Sequence, residues 1–391
     1  MNRKQFSILL VLVVVIGALG LVLSRREKFK PAGDSVGKKL LGDFPVNDVA
    51  HFSIKRGDSE VNLVKKDELW RVRERGDHPA NYGEISDVLL KLRDLKIIQT
   101  EQVGASQLPR LELAAPGQGT NSGTLVEFKD SADKTIKFLL LGKKHTRKPP
   151  QQQQSQFGGG DEGWPDGRWV KLGDAKDVAL ISEPLSNVEP KPEQWLNKDF
   201  FKVERVRSIA VDFTQATNSW KLMRETESAE WKLSNIKTNE QLDSGKVSSV
   251  SNPLSSPTFN DVLASNAPPE TTGLDKPNVA TLETFDNFTY TVKVGKKSDD
   301  NYFFAMTVSA DLPKTRTPGK DEKPEDKEKL DKQFQDKQKQ LVEKLKLEKQ
   351  FEKWIYLVSS WTVDPLLKER SQLFAEKKED AKEDDEKTPE P

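Results

Sequence analysis

Apolar positions along this chain follow one arrangement that is used twice. Phe44, Val46, Val49, Phe52 and Ile54 open the first stretch, and Phe201, Val203, Val206, Ile209 and Val211 open a second with the same spacing. An apolar pair follows in each, Val61 with Leu63 and Trp220 with Leu222. Next comes a tryptophan separated by one residue from an aliphatic side chain, Trp70 before Val72 and Trp231 before Leu233. Short runs with period two, broken at Arg56-Gly-Asp58 and Lys65-Lys-Asp67, predict hairpins of an antiparallel sheet. The period then turns helical. Ile85, Val88, Leu89, Leu92 and Leu95 make one apolar face, which Asn81 or Ser86 caps and which packs on the sheet. Its counterpart carries Val247, Val250 and Leu254. Ser248, Ser249, Ser251 and Pro253 weaken it, so it is short or irregular. The correspondence continues with Val103–Ala105 against Val262–Ala264, Leu113–Pro116 against Leu274–Pro277, and Leu141-Gly-Lys-Lys144 against Val294-Gly-Lys-Lys297. Repeats at fixed spacing signal duplication, and two copies are too few for a solenoid. The expected fold is α+β: two tandem domains, each an antiparallel sheet with a helix on one face.

Composition shifts set the boundaries. Phe6 to Leu23 is apolar and uncharged, near the lower length limit for spanning a bilayer. It reads as an uncleaved single-pass anchor, with a cleaved signal peptide as the alternative because Arg3 and Lys4 precede it. Arg25, Arg26 and Lys28 on the far flank argue for an inside carboxyl end. Long domains translocate largely regardless of local charge, so the bulk of the chain is expected in the periplasm. Residues 1–43 are then anchor and linker. Residues 44–198 are the first repeat, with a flexible Gln/Gly-rich loop at 143–168 in which Trp164 is exposed. Residues 199–375 are the second repeat, with a charged insertion at 314–353. Residues 376–391 are a charged, disordered tail. Leu330, Phe334, Leu341, Leu345 and Phe351 fall near helical spacing, so a helix is expected over 323–351. Its hairpin-tip position would be equivalent to that of the Gln/Gly loop. It would serve as a docking arm outside the folding core, or stand as a solvated helix without a partner.

The 391 residues hold 62 basic and 62 acidic side chains, so no global field draws in nucleic acid. The cysteine count of zero excludes disulfides, thiolate nucleophiles and zinc–cysteine sites. His51 lies in a strand pattern, His78 in a turn and His145 in the loop insertion, with no metal-ligand spacing among them. No phosphate-binding loop or dinucleotide fingerprint occurs, and the two Gly-Lys-Lys segments read as turns at strand ends. Close carboxylates such as Asp380, Asp384 and Asp385 sit in the tail. Trp70, Trp220 and Trp231 read as core. Catalytic, cofactor-binding and metal residues are each expected to be none.

The anchor run, the strand entry Phe44–Ile54 with Trp70, the stretch Pro79-Ala-Asn-Tyr-Gly83 leading into Ile85–Leu95, and the duplicated order resemble the bacterial domain-of-unknown-function 4340 family. The resemblance implies a membrane-anchored accessory of an ABC-type transport system associated with gliding motility. A non-enzymatic inner-membrane protein is therefore expected, with no cofactor and with other envelope proteins as partners. The alternative is a binder of, or enzyme acting on, an envelope polymer, with a cleft between the repeats.

Overall fold

The computed structural model describes residues 35–117, 119, 121–147, 164–319 and 322–376. The apolar run 6–23, most of the Gln/Gly stretch and the acidic tail lie outside the described residues. Among the described residues no helix is long and apolar enough to cross a membrane. The chain forms two compact units. Of the described residues, one takes in those of 35–65 and 82–191, and the other those of 66–81 and 192–376. Residues 66–81 lie within the stretch that the sequence assigns to the first repeat.

The first sheet contains β1 (His51–Arg56), β2 (Ser59–Lys66), β3 (Leu69–Val72), β4 (His78–Pro79), β5 (Ile97–Gln102), β6 (Thr124–Lys129), β7 (Thr135–Arg147), β8 (Trp164–Leu172) and β9 (Asp177–Ile181). Its strand order is β4-β3-β2-β1-β6-β7-β8-β9-β5. The second sheet contains β10 (Val206–Asp212), β11 (Trp220–Met223), β12 (Lys232–Leu233), β13 (Asp261–Ala264), β14 (Asn278–Thr284), β15 (Phe288–Ser298), β16 (Asn301–Ala310) and β17 (Trp354–Ser359). Its order is β12-β11-β10-β14-β15-β16-β17-β13. Read strand for strand, the second sheet repeats the first without β4. Helix α1 (Tyr82–Asp94) precedes the edge strand β5, and the shorter α2 (Ser244–Val250) precedes the edge strand β13. Both sheets are antiparallel, as the alternation predicts.

The pleat sends every second residue inward. Along β6, Thr124, Val126 and Phe128 are buried, and in β1 Phe52 and Ile54 are. Phe128 stacks on Phe52 at 5.0 Å and takes the edge of Phe44 at 5.1 Å. Helix α1 buries Ile85, Val88, Leu89 and Leu92, the face its spacing predicts. The second unit buries Ile209, Val211, Leu282, Tyr290, Val292, Phe304, Tyr356 and Val358, together with Val247 and Val250 of α2.

Several expectations are corrected. Leu40 and Leu41, in the stretch read as linker, are buried, because Gly37 to Leu40 hydrogen-bonds to Leu95 and Ile97. The Gln/Gly insertion is not a loop along its whole length. Strands β7 and β8 pair as far as Arg147 opposite Trp164, so only 148–163 fall outside the described strands. Trp164 is exposed, as expected. Trp70 and Trp220 are buried, whereas Trp231 is half-buried and lies against Arg224, whose guanidinium sits 4.7 Å from the ring centre.

The Gly-Lys-Lys segments are not turns. Gly142 lies within β7 and Gly295 within β15, and each strand shifts register there. A Cβ on Gly142 would stand 2.3 Å from the Leu111 carbonyl oxygen, and one on Gly295 would stand 2.3 Å from that of Thr272. Those oxygens end corresponding helical turns, Ala105–Leu111 and α3 (Pro269–Thr272). The repeated glycine marks the place where a helical turn rests on a strand backbone.

The charged insertion forms α4 (Lys327–Glu348), a helix of 22 residues continued by a 3₁₀ turn over Lys349–Lys353. It connects β16 to β17, which correspond to β8 and β9 of the first sheet. The Gln/Gly stretch connects β7 to β8, whose counterparts β15 and β16 meet in a tight turn with Ser298 opposite Asn301. The two insertions therefore occupy different hairpins, contrary to the sequence reading.

Candidate functional site

Helix α4 places Gln340, Glu343, Lys344, Leu347 and Glu348 along one face, at spacings of three and four. That face and Phe351 form one wall of a cavity of about 850 Å³ in the second unit. The opposite wall is the extended stretch Asn197–Glu204 with Ser256–Thr258, and His78 and Trp354 lie deeper. This volume falls within the ~300–1,000 Å³ usual for ligand sites.

The stretch 197–204 is held from both ends. The Asn197 N–H donates to the Pro79 carbonyl at 2.9 Å, and its side-chain oxygen accepts from the Asp199 N–H at 2.9 Å. The Lys198 ammonium donates to the Asn260 carbonyl at 2.6 Å and sits 4.8 Å from the centre of the Phe259 ring. Burial lowers its pKa from the ordinary lysine value. Phe200 meets Tyr356 at 4.6 Å, Phe259 at 5.1 Å and Phe351 at 5.5 Å between ring centres. Phe201 turns the other way, into the core against Tyr290 and Phe304. Adjacent aromatics thus pin the segment on both sides and leave Lys202 and Glu204 at the cavity.

Glu348 is the least expected member, a carboxylate that is 6% exposed. The Tyr290 hydroxyl donates to it at 2.7 Å and the Lys202 N–H at 3.3 Å. Burial outweighs these partners and raises the carboxyl pKa above its ordinary value. Burial and the facing carboxylate likewise raise the Tyr290 hydroxyl. Lys344 pairs with Glu204 at 3.0 Å and donates to the Lys202 carbonyl at 3.2 Å. Farther along the helix, Lys337 pairs with Asp286 at 2.7 Å. Helix α4 is therefore attached to the body of the second unit over its carboxyl half.

His78, read from sequence as a turn residue, is 2% exposed. Its ring meets Trp354 edge-on at 4.6 Å. Nδ1 lies 2.9 Å from the Pro79 carbonyl, which only accepts, so Nδ1 carries the proton. Burial pulls its pKa down to about 4, leaving a neutral imidazole at pH 7. Nearby, the Arg75 guanidinium grips Asp261 through two hydrogen bonds of 2.6 and 2.8 Å. The other two histidines lie elsewhere. His51 bonds Asn62 at 2.8 Å, and His145 bonds Asp166 at 2.6 Å within the paired strands. Among the described residues no cluster of His, Asp or Glu is arranged to hold a metal.

The sequence reading named His78, Pro79 and Phe351 but assigned none of the cavity residues to a site. They come from four separated stretches and form no motif. The one available signal was the stripe on α4, where Glu348 falls on the same face as the apolar Leu341 and Leu345.

Comparison with known proteins adds one match. The model of the family described as Domain of unknown function (DUF4340) matches residues 70–277, just over half of the chain. No curated protein and no solved structure matches the chain.

Proposed function

The chain belongs to the family of the domain of unknown function DUF4340, and on that premise we propose that it is a membrane-anchored, non-enzymatic accessory protein of the cell envelope whose cavity along α4 holds a segment of a protein partner. The observation that carries this reading is the lining of the cavity. Lys198, Lys202 and Lys344 alternate there with Asp199, Glu204, Glu343 and Glu348, beside Phe200, Phe351 and Leu347. Interspersed charges of both signs next to aromatic rings suit a polypeptide, whose backbone and side chains offer donors, acceptors and apolar groups together. The apolar run 6–23 supports inner-membrane attachment, and the bulk of the chain is placed in the periplasm because long domains translocate largely regardless of local charge. Components of an ABC-type transport system are the partner class that the family resemblance suggests.

The test is a photo-crosslinking amino acid at Gln340, which lines the cavity, and at exposed Trp361, which does not, in the full chain in its native membrane. A discrete adduct at Gln340 alone, lost with Lys344→Glu and identified as an envelope protein, supports the reading. Equal adducts at both positions, or none at Gln340, overturn it. Protease added to spheroplasts tests the topology, since full protection of the domains would place them in the cytoplasm. An adduct to glycan in place of protein would favour the polymer-binding alternative.

A further inference from the structure

The strands β7 and β8 run on together beyond their buried residues. Lys143, Lys144, His145, Thr146 and Arg147 are all exposed, as are Trp164, Pro165 and Asp166 opposite them. The result is a two-stranded arm open to solvent on both faces. Among the described residues Lys143, Lys144 and Arg147 form no ion pair, whereas Asp166, the carboxylate on the described strands of the arm, lies 2.6 Å from His145. Glu189, close enough to feel the charge of Lys144, is paired with Lys191 at 2.6 Å. Over the described residues 143–147 and 164–166 the arm is therefore cationic, in a chain whose formal charge is zero. Trp164, paired across from Arg147, is 70% exposed.

An indole and three unpaired cations on one projecting hairpin match a particular environment. The amphipathic indole ring settles at the level of lipid headgroups. Lysine and arginine beside it are drawn by a negative surface potential, each strengthening attachment roughly fivefold. A single exposed ring is a poor platform for nucleic acid, where successive bases stack on several aromatics. We propose that this arm docks on the face of an anionic phospholipid bilayer. The contact is independent of the cavity along α4 and of the partner held there.

The absence of cysteine makes the test simple. Thr146→Cys, labelled with a polarity-sensitive dye, is placed in the full chain. The chain is reconstituted into nanodiscs of phosphatidylcholine alone, or of phosphatidylcholine with about 30% phosphatidylglycerol, the latter mimicking an anionic leaflet. Docking predicts blue-shifted emission and protection from iodide in the anionic discs only, reversed in high salt because charges beyond a short screening length no longer interact. The triple variant Lys143→Gln, Lys144→Gln, Arg147→Gln is expected to weaken docking roughly 100-fold. Trp164→Ser in the otherwise intact arm should also reduce the shift, and unchanged circular dichroism checks that both variants are folded. Equal emission in the two discs overturns the proposal. So does a shift produced by single-stranded nucleic acid in neutral discs, which would make the arm a polyanion site.

Discussion

His78 offers a quantitative test of how the second unit is assembled. Its imidazole is buried against Trp354 and Phe259, and burial lowers its pKa from 6.5 to about 4. Because the folded state binds this proton more weakly than the unfolded chain, the direction is set by linkage. Stability is fully present above the unfolded pKa of 6.5 and is lost as pH falls toward the folded value of about 4. At 1.36 kcal/mol per pKa unit, most of that window has been crossed at pH 4.5, for a cost of about 2–3 kcal/mol. Exposed carboxylates such as Asp94, held low by Arg93 and Lys39, also lose stability on acidification, so the wild-type slope alone proves nothing. The variant His78→Phe isolates the effect. It keeps the ring against Trp354, and the Pro79 carbonyl still accepts from the Asn197 N–H. Urea unfolding followed by tryptophan fluorescence at pH 7.5, 6.0 and 4.5 should show the wild type losing about 2–3 kcal/mol more than His78→Phe over that range. Parallel profiles would refute the reasoning, as would an imidazole NMR titration with a midpoint above pH 6.

Three further outcomes follow from the packing. Gly142→Ala and Gly295→Ala each force a methyl group to 2.3 Å from a carbonyl oxygen; each should cost about 1–3 kcal/mol in thermal unfolding, and a neutral result would mean that the helical turn can lift off its strand. Trp70→Ala should cost roughly 3–5 kcal/mol, while half-buried Trp231→Ala should cost clearly less, so equal losses in denaturant titrations would contradict the difference in burial. Glu348→Gln removes a carboxylate whose pKa is raised by burial, so the wild type should lose stability relative to it as pH climbs from the unfolded carboxylate range into the raised folded value; a variant less stable at pH 8 than at pH 5, relative to wild type, would reverse that sign.

Much of each sheet was legible because alternation reports a half-buried strand directly. Phe52 and Ile54 are buried in β1, and Ile209 and Val211 are buried in β10, as their spacing requires. Helix α1 was legible for the same reason, and the charged helix was anticipated over 323–351 where α4 and its flanking 3₁₀ turns occupy Pro324–Lys353. The errors came where backbone contact decides and side-chain pattern is silent. Gly142 and Gly295 looked like turn residues because glycine is common in turns. Their actual constraint is a neighbouring carbonyl that no local pattern encodes. Trp231 looked like Trp70 because each stands two residues before an aliphatic partner, but β12 spans only Lys232–Leu233. So short a strand leaves the indole at the margin, where a guanidinium covers it.

How the charged insertion is attached decides what α4 can do. As an arm outside the folding core it would stand clear of the second unit, and its deletion would leave the melting temperature unchanged. Within the hairpin of β16 and β17 it instead lies against its own unit and delivers Glu348 to Tyr290 and the Lys202 N–H. Deleting 318–349 would remove the close acceptor of the Tyr290 hydroxyl and leave it the Lys202 carbonyl at 3.5 Å, a loss worth about 1 kcal/mol, and would remove the ion pairs from Lys337 and Lys344 as well. Those surface pairs add little individually, so the buried hydroxyl dominates. The deletion should therefore lower the melting temperature of the second unit. The single change Tyr290→Phe, which removes the hydroxyl and leaves Glu348 without that donor, should reproduce part of the loss with α4 in place. If the deletion left the melting temperature unchanged, α4 would be an appendage after all, and the cavity along it would have no fixed wall with which to select a partner.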